Sequence, residues 1–248
     1  MPRVFAGMMA WDWKHAHRVL RAWGEWAGEA PETVTSIARL LQAPDEAWVP
    51  ADVRARRLVV IDAVALGDPA HSEQVLAPLR SLSPEVDTFD AVPAASAARL
   101  HLDPEAPTAV YAHSILLADL PDRAVDALVT AAGPGSGSEL LFVELRQLGG
   151  ALSRPAPRGG ALDRMDGSFL VLGVGTDAGA GWAAVREDAH RVMSALQPWA
   201  TTSAYLLMAD EDVDERRGWP AASWQRLAAL RAAADPHGLF VPPHSATR

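Results

Sequence analysis

A chain of 248 residues is near the upper limit for one hydrophobic core, and 49% hydrophobic against 21% charged residues is the balance of a folded globular protein. Its formal net charge of −9, with no cluster of basic residues, argues against nucleic-acid binding through a basic face. The absence of cysteine excludes disulfides, thiolate metal sites, cysteine nucleophiles and any flavin–cysteinyl bond formed within the chain.

Val4–Trp11 is apolar but only eight residues long, ends at Asp12 and lacks a basic n-region. It is too short for a membrane helix, so it reads as a strand, no membrane contact is expected, and a cytoplasmic location is the default. Asp12–Gly28 follows as a helix, with Asp12 as N-cap and Val19, Leu20, Trp23 and Trp26 near one face. Thr33–Gln42 and Arg57–Leu66 read as strands, separated by a loop around Pro44–Val53. Pro69–Leu82 and Pro121–Ala132 each open with a proline, which suits the first turn of a helix. Leu140–Leu148, Ser168–Gly175 and Ser203–Met208 supply three more strands, and Gly181–Leu196 and Pro220–Ala234 two more helices. This order predicts one α+β domain over residues 1–248, a largely antiparallel sheet with helices packed on one face.

Most of the short motifs have plain readings. Gly173-x-Gly175 with Gly179 has the wrong spacing for a dinucleotide loop and reads as a strand-to-helix turn. Gly133–Ser138 (GPGSGS) precedes a strand instead of opening a helix, so it reads as a connector. Asp210-x-Asp212-x-Asp214 lacks the glycine and the final glutamate of a calcium loop and reads as a solvated acidic loop. The histidines show no metal-ligand spacing; His15 and His17 point apart on a helix, and His71, His101, His113, His190 and His237 are scattered. Glu144 and Arg146 differ: two apart on a strand, they project to one face. That face either covers a cavity, where the pair binds or polarises a substrate, or is solvated, where the pair is worth little. The nine tryptophans read as core packing or as walls for a broad aromatic ligand.

Three stretches carry a resemblance: Leu140–Ala151 (LLFVELRQLGGA), residues 154–175 (RPAPRGGALDRMDGSFLVLGVG), and Tyr205–His244 with its DPHGLF tail. Together they resemble the berberine-bridge-enzyme-like family of FAD-linked oxidases, and the similarity runs from about Val4 to His244. It implies that this chain corresponds to the family's substrate domain and C-terminal tail, with the FAD-binding domain absent. In the family the sheet of this domain roofs the flavin ring, and substrate is oxidised in the gap between.

The chain departs from the family at Tyr205-Leu206-Leu207-Met208, where the family usually has Tyr-x-Asn followed by an aromatic residue, and again at Val241-Pro242-Pro243-His244. Polar groups that the family places near its cofactor are thus replaced. The resemblance implies Tyr205, Glu144 and Arg146 as catalytic candidates on the substrate side. It implies no cofactor-binding or metal-binding residue in this chain, with FAD present only where a separate flavin domain supplies it. A sheet face shaped to meet another domain also predicts a partner, either that flavin domain or a second copy of the chain. The expected substrate is small and apolar or aromatic. The alternative is a flavin-independent small-molecule binder, or a cofactor-independent cyclase shaping a natural-product substrate.

Overall fold

The computed structural model describes residues 3–240 except 105, 178, 180 and 210–212. Its strands are β1 (Arg3–Asp12), β2 (Val34–Gln42), β3 (Arg57–Ala65), β4 (Val86–Asp87), β5 (Asp90–Pro93), β6 (Tyr111–Leu117), β7 (Phe142–Gln147) and β8 (Phe169–Gly175). They form one sheet in the order β4-β1-β3-β2-β7-β8-β6, with β5 also pairing with β1, and every pairing is antiparallel. The fold is therefore α+β with an antiparallel sheet, as the element order predicted.

Helices α1 (Ala16–Glu29), α2 (Pro69–Arg80), α3 (Asp122–Ala132) and α4 (Trp182–Ala195) cover one face. Alternation along the strands decides what they cover. In β3, Val59, Ile61, Ala63 and Ala65 join the helix-side core, while Leu58 and Val60 join a smaller cluster on the opposite face. In α1 the 3.6-residue period brings Val19, Leu20, Trp23 and Trp26 inward, and all four are buried. Close packing of α4 depends on Gly175: a Cβ there would lie 2.4 Å from Val185 Cγ1. Gly173 and Gly175 are thus packing glycines.

The helix-side core holds one polar chain. Trp23 Nε1 donates to Ser36 Oγ at 3.1 Å, Ser36 Oγ donates to Gln147 Oε1 at 2.8 Å, and Gln147 Nε2 donates to the Ala27 carbonyl at 2.8 Å. It ties α1 to β2 and β7 and leaves the buried indole N–H satisfied.

Several expectations need correction. The helix expected from Asp12 begins as a 3-10 turn at Trp13–His15, which Asp12 caps, and becomes α-helical only at Ala16. Ser203–Met208 is not a strand. Past an isolated bridge between Leu117 and Ala200, and a bond from Thr201 N to the Leu116 carbonyl, the chain leaves the edge of β6; residues 206–208 then form a 3-10 turn. Without a ladder partner an apolar run does not stay extended. Conversely β6, which carries His113, was not foreseen. The acidic motif at 210–214 falls mostly outside the described residues; Asp214 caps a 3-10 turn and pairs with Arg216. Among the described residues no helix is long and apolar enough to cross a membrane.

Ser36→Ala is expected to destabilise the protein by about 1–3 kcal/mol by orphaning the buried Trp23 N–H. Denaturant unfolding checks this, with an unchanged m-value expected.

Candidate functional site

Opposite the helices, the sheet face carries a group of charges where apolar side chains would be ordinary. Register explains how they meet. Arg39 of β2 stands directly across from Glu144 of β7, and Ile37 stands between Asp62 of β3 and Arg146 of β7. Side chains of cross-strand partners share a face, so Arg39, Asp62, Glu144 and Arg146 all project from the helix-free side. A fifth member, His101, comes from the connection between β5 and β6.

Glu144 is fully buried, with 0% of its side chain exposed. Its Oε2 lies 2.7 Å from His101 Nε2, and its Oε1 accepts from Arg146 Nε at 2.5 Å. The other His101 ring nitrogen, Nδ1, lies 2.7 Å from Asp103 Oδ1. Arg39 Nη1 donates to the His101 carbonyl at 2.9 Å. Arg39 Nη2 also sits 2.6 Å from Asp62 Oδ2, both side chains being buried. That contact is close but not aligned as a hydrogen bond, so the Asp62 oxygens and Arg39 Nε have no hydrogen-bond partner. Counting charges, Arg39, Arg146 and protonated His101 face Asp62, Asp103 and Glu144, so the group is balanced.

Burial sets the electrostatics. It works against ionised Glu144, but the hydrogen bond to His101 and the charge of Arg146 outweigh it and hold the carboxyl below its ordinary value. Burial likewise opposes a charged His101, and Arg39 adds to that; the hydrogen bonds to Glu144 and Asp103 and the charge of Glu144 together outweigh them, raising the imidazole above its ordinary value. Asp62 goes the other way: burial raises its carboxyl, with Arg39 pulling against the rise.

The sequence picked out Glu144 and Arg146, and the structure brings them together. The solvated reading fails for Glu144, while Arg146 keeps about a third of its side chain exposed. Tyr205 joins neither of them. It precedes the 206–208 turn, which is held to the same sheet face by Ser114 Oγ donating to the Met208 carbonyl, with β8 lying between β6 and β7. Arg39, Asp62 and His101 were missed. Arg39 and Asp62 stand inside apolar strands, RLVVIDAVA for Asp62, and a charge at a buried strand position was the available signal. His101 had no local signal, because its partner is 43 residues away.

Two surface hollows lie elsewhere, and both are open. One, of about 530 Å³, is bordered by Trp13, Lys14 and Arg57; the other, of about 390 Å³, lies along α4 at Trp182, Arg186 and His190. Among the described residues no group of three or more His, Asp or Glu side chains could hold a metal. Beside Gly175, the Val185 and Leu140 side chains fill the space.

Asp62→Asn is expected to cost about 3–5 kcal/mol, because Arg39 would remain buried without a counter-charge. Replacing both with apolar residues, Arg39→Met with Asp62→Leu, should recover most of that loss in the same unfolding measurement.

No family model matches the sequence, and no curated protein sequence matches it. Solved structures do. Physcomitrella patens BBE-like 1 superposes with a TM-score of 0.79 at 15% identity, covering 98% of this chain and 54% of that one. A chitooligosaccharide oxidase gives 0.74 at 17% identity, covering 98% and 55%. A berberine bridge enzyme variant gives 0.74 at 14% identity, covering 98% and 54%. The chain thus spans about half the length of the structures it matches. What these residues build is the fold of one half of a berberine-bridge-enzyme-like oxidase.

Proposed function

We propose that this chain is the substrate domain of a berberine-bridge-like FAD-dependent oxidoreductase, and that a flavin domain in trans must complete it. The observation that carries the reading is the buried charged group centred on Glu144, on the helix-free face of a sheet whose fold matches one half of such oxidases. A fully buried ionised carboxylate is costly, and groups of this kind collect where a protein binds or exchanges protons with a ligand.

In this reading the chain's residues do the substrate's part. Glu144 holds or accepts a proton at its carboxylate, and Arg146, the more exposed of the pair, orients an oxygen-bearing substituent. Tyr205 and the 206–208 turn wall one side for a small apolar or aromatic substrate. In this reading electron acceptance belongs to the other domain.

The C-terminal helix supports a partner. Helix α5 (Ala221–Ala234) has no buried residue, and Leu230, Leu239 and Phe240 are 56%, 78% and 77% exposed. Apolar side chains left this open suit a surface that another body covers. The alternative reading, a flavin-independent binder or cyclase, wants an enclosed pocket, whereas the two hollows described above are open and lie away from Glu144.

The test is spectroscopic. Purified chain mixed with FAD and passed through gel filtration should elute without a flavin absorbance band. Addition of an isolated berberine-bridge-like flavin domain should give a coloured complex of the two. A flavin band retained by the chain alone would overturn the need for a second domain, and failure to associate would favour the binder. Leu230→Glu with Phe240→Glu should abolish that complex with little change in the unfolding midpoint, since exposed substitutions change stability by about 0.5 kcal/mol or less.

A further inference from the structure

The connection between β5 and β6 has an unusual task. Strand β5 pairs with β1 near one edge of the sheet, and β6 forms the opposite edge. Between β1 and β6 lie five strand spacings, about 24 Å at the usual separation, so residues 94–110 must cross the sheet. Their contacts say which face they cross: His101 meets Glu144 of β7 and Arg39 of β2, and Leu102 packs on the apolar cluster of the helix-free side. The crossing therefore runs over the charged face.

This segment is weakly anchored by apolar contact. From Ala94 to Pro104 no residue is fully buried, and Leu102 sits in the left-handed region at φ +58°. Its deepest polar anchor is His101, whose carbonyl accepts from Arg39 and whose ring stands edge-on to Phe142 with centroids 5.5 Å apart. Both ring nitrogens face carboxylate oxygens, Glu144 and Asp103, at 2.7 Å each. A neutral imidazole has one donor and one acceptor, so only the protonated ring satisfies both.

We infer that residues 94–104 form a strap over the charged face, latched by protonated His101, and that loss of this proton loosens the strap and opens the face. The inference concerns regulation of access to the proposed substrate face and rests on that reading only for its consequence. Among the described residues, the charged groups around His101 include Asp103 on the strap, Glu144 and Arg146 on β7, Arg39 on β2 and Asp62 on β3. Deprotonation leaves the carboxylates in excess by one and sets a nitrogen lone pair against a carboxylate oxygen. The sign follows from the raised imidazole: the latch is complete below the ordinary histidine pKa and is lost as pH rises through the higher folded value.

Hydrogen–deuterium exchange on the chain alone tests this, with no flavin domain or substrate, so its outcome is separable from the fate of the oxidoreductase reading. Between about pH 6 and about pH 9, after correction for intrinsic exchange, protection of 94–104 should fall about tenfold or more. Protection of β3 and β8 should stay constant. His101→Gln, which keeps a neutral donor and acceptor, should show weak protection of the strap at every pH. Asp103→Asn, on the exposed side of the ring, should move the wild-type transition to lower pH, and it keeps the test intact should the His101 variant not fold. Wild-type protection that does not change with pH would overturn the latch. So would a His101→Gln strap with the wild-type profile, or an Asp103→Asn transition that does not move.

Discussion

An ionised carboxylate sealed from water must be compensated where it stands, and much of the helix-free half of this protein is arranged around that demand. Glu144 sits at the centre of the sheet with no exposed side-chain surface. Its compensation comes from three sources: Arg146 on its own strand, His101 from a crossing connection, and, through the His101 carbonyl, Arg39 on the neighbouring strand. Arg39 in turn requires Asp62. Each charge is offset by a neighbour, so removing one member of a pair leaves the other buried and uncompensated.

The two faces of the sheet are consequently different materials. On one side four helices lie against an apolar layer crossed by the Trp23–Ser36–Gln147 chain, whose indole N–H is satisfied. On the other, a small apolar cluster gives way to charges, roofed by connections instead of helices. Oxidases of known structure that share the fold are about twice as long. The face of mixed charge and the exposed C-terminal helix thus belong to a chain that matches about half of those larger structures.

Much of the architecture was legible in the residues because it rests on local periodicity. The spacing of Val19, Leu20, Trp23 and Trp26 belongs to a helix with one buried face, and runs such as RLVVIDAVA belong to a strand covered on both sides. The resemblance around Leu140–Ala151 foresaw the fold of the oxidases that the structure matches. Ser203–Met208 misled for a physical reason: its composition suits a strand, but extended backbone needs a partner, and the edge of β6 offers one only as far as Thr201.

The site divides along the same line. By itself the sequence determined that Glu144 and Arg146 share a face, because side-chain alternation along a strand is a property of the backbone. It could not say whether that face was wet or dry, since burial depends on what the rest of the chain lays over it. Nor could it join His101 to Glu144, or Arg39 to Asp62, because strand order and the path of the 94–104 strap decide those meetings. Local chemistry sets which way a side chain points; only the tertiary structure decides what it meets there, because that partner comes from a distant part of the chain.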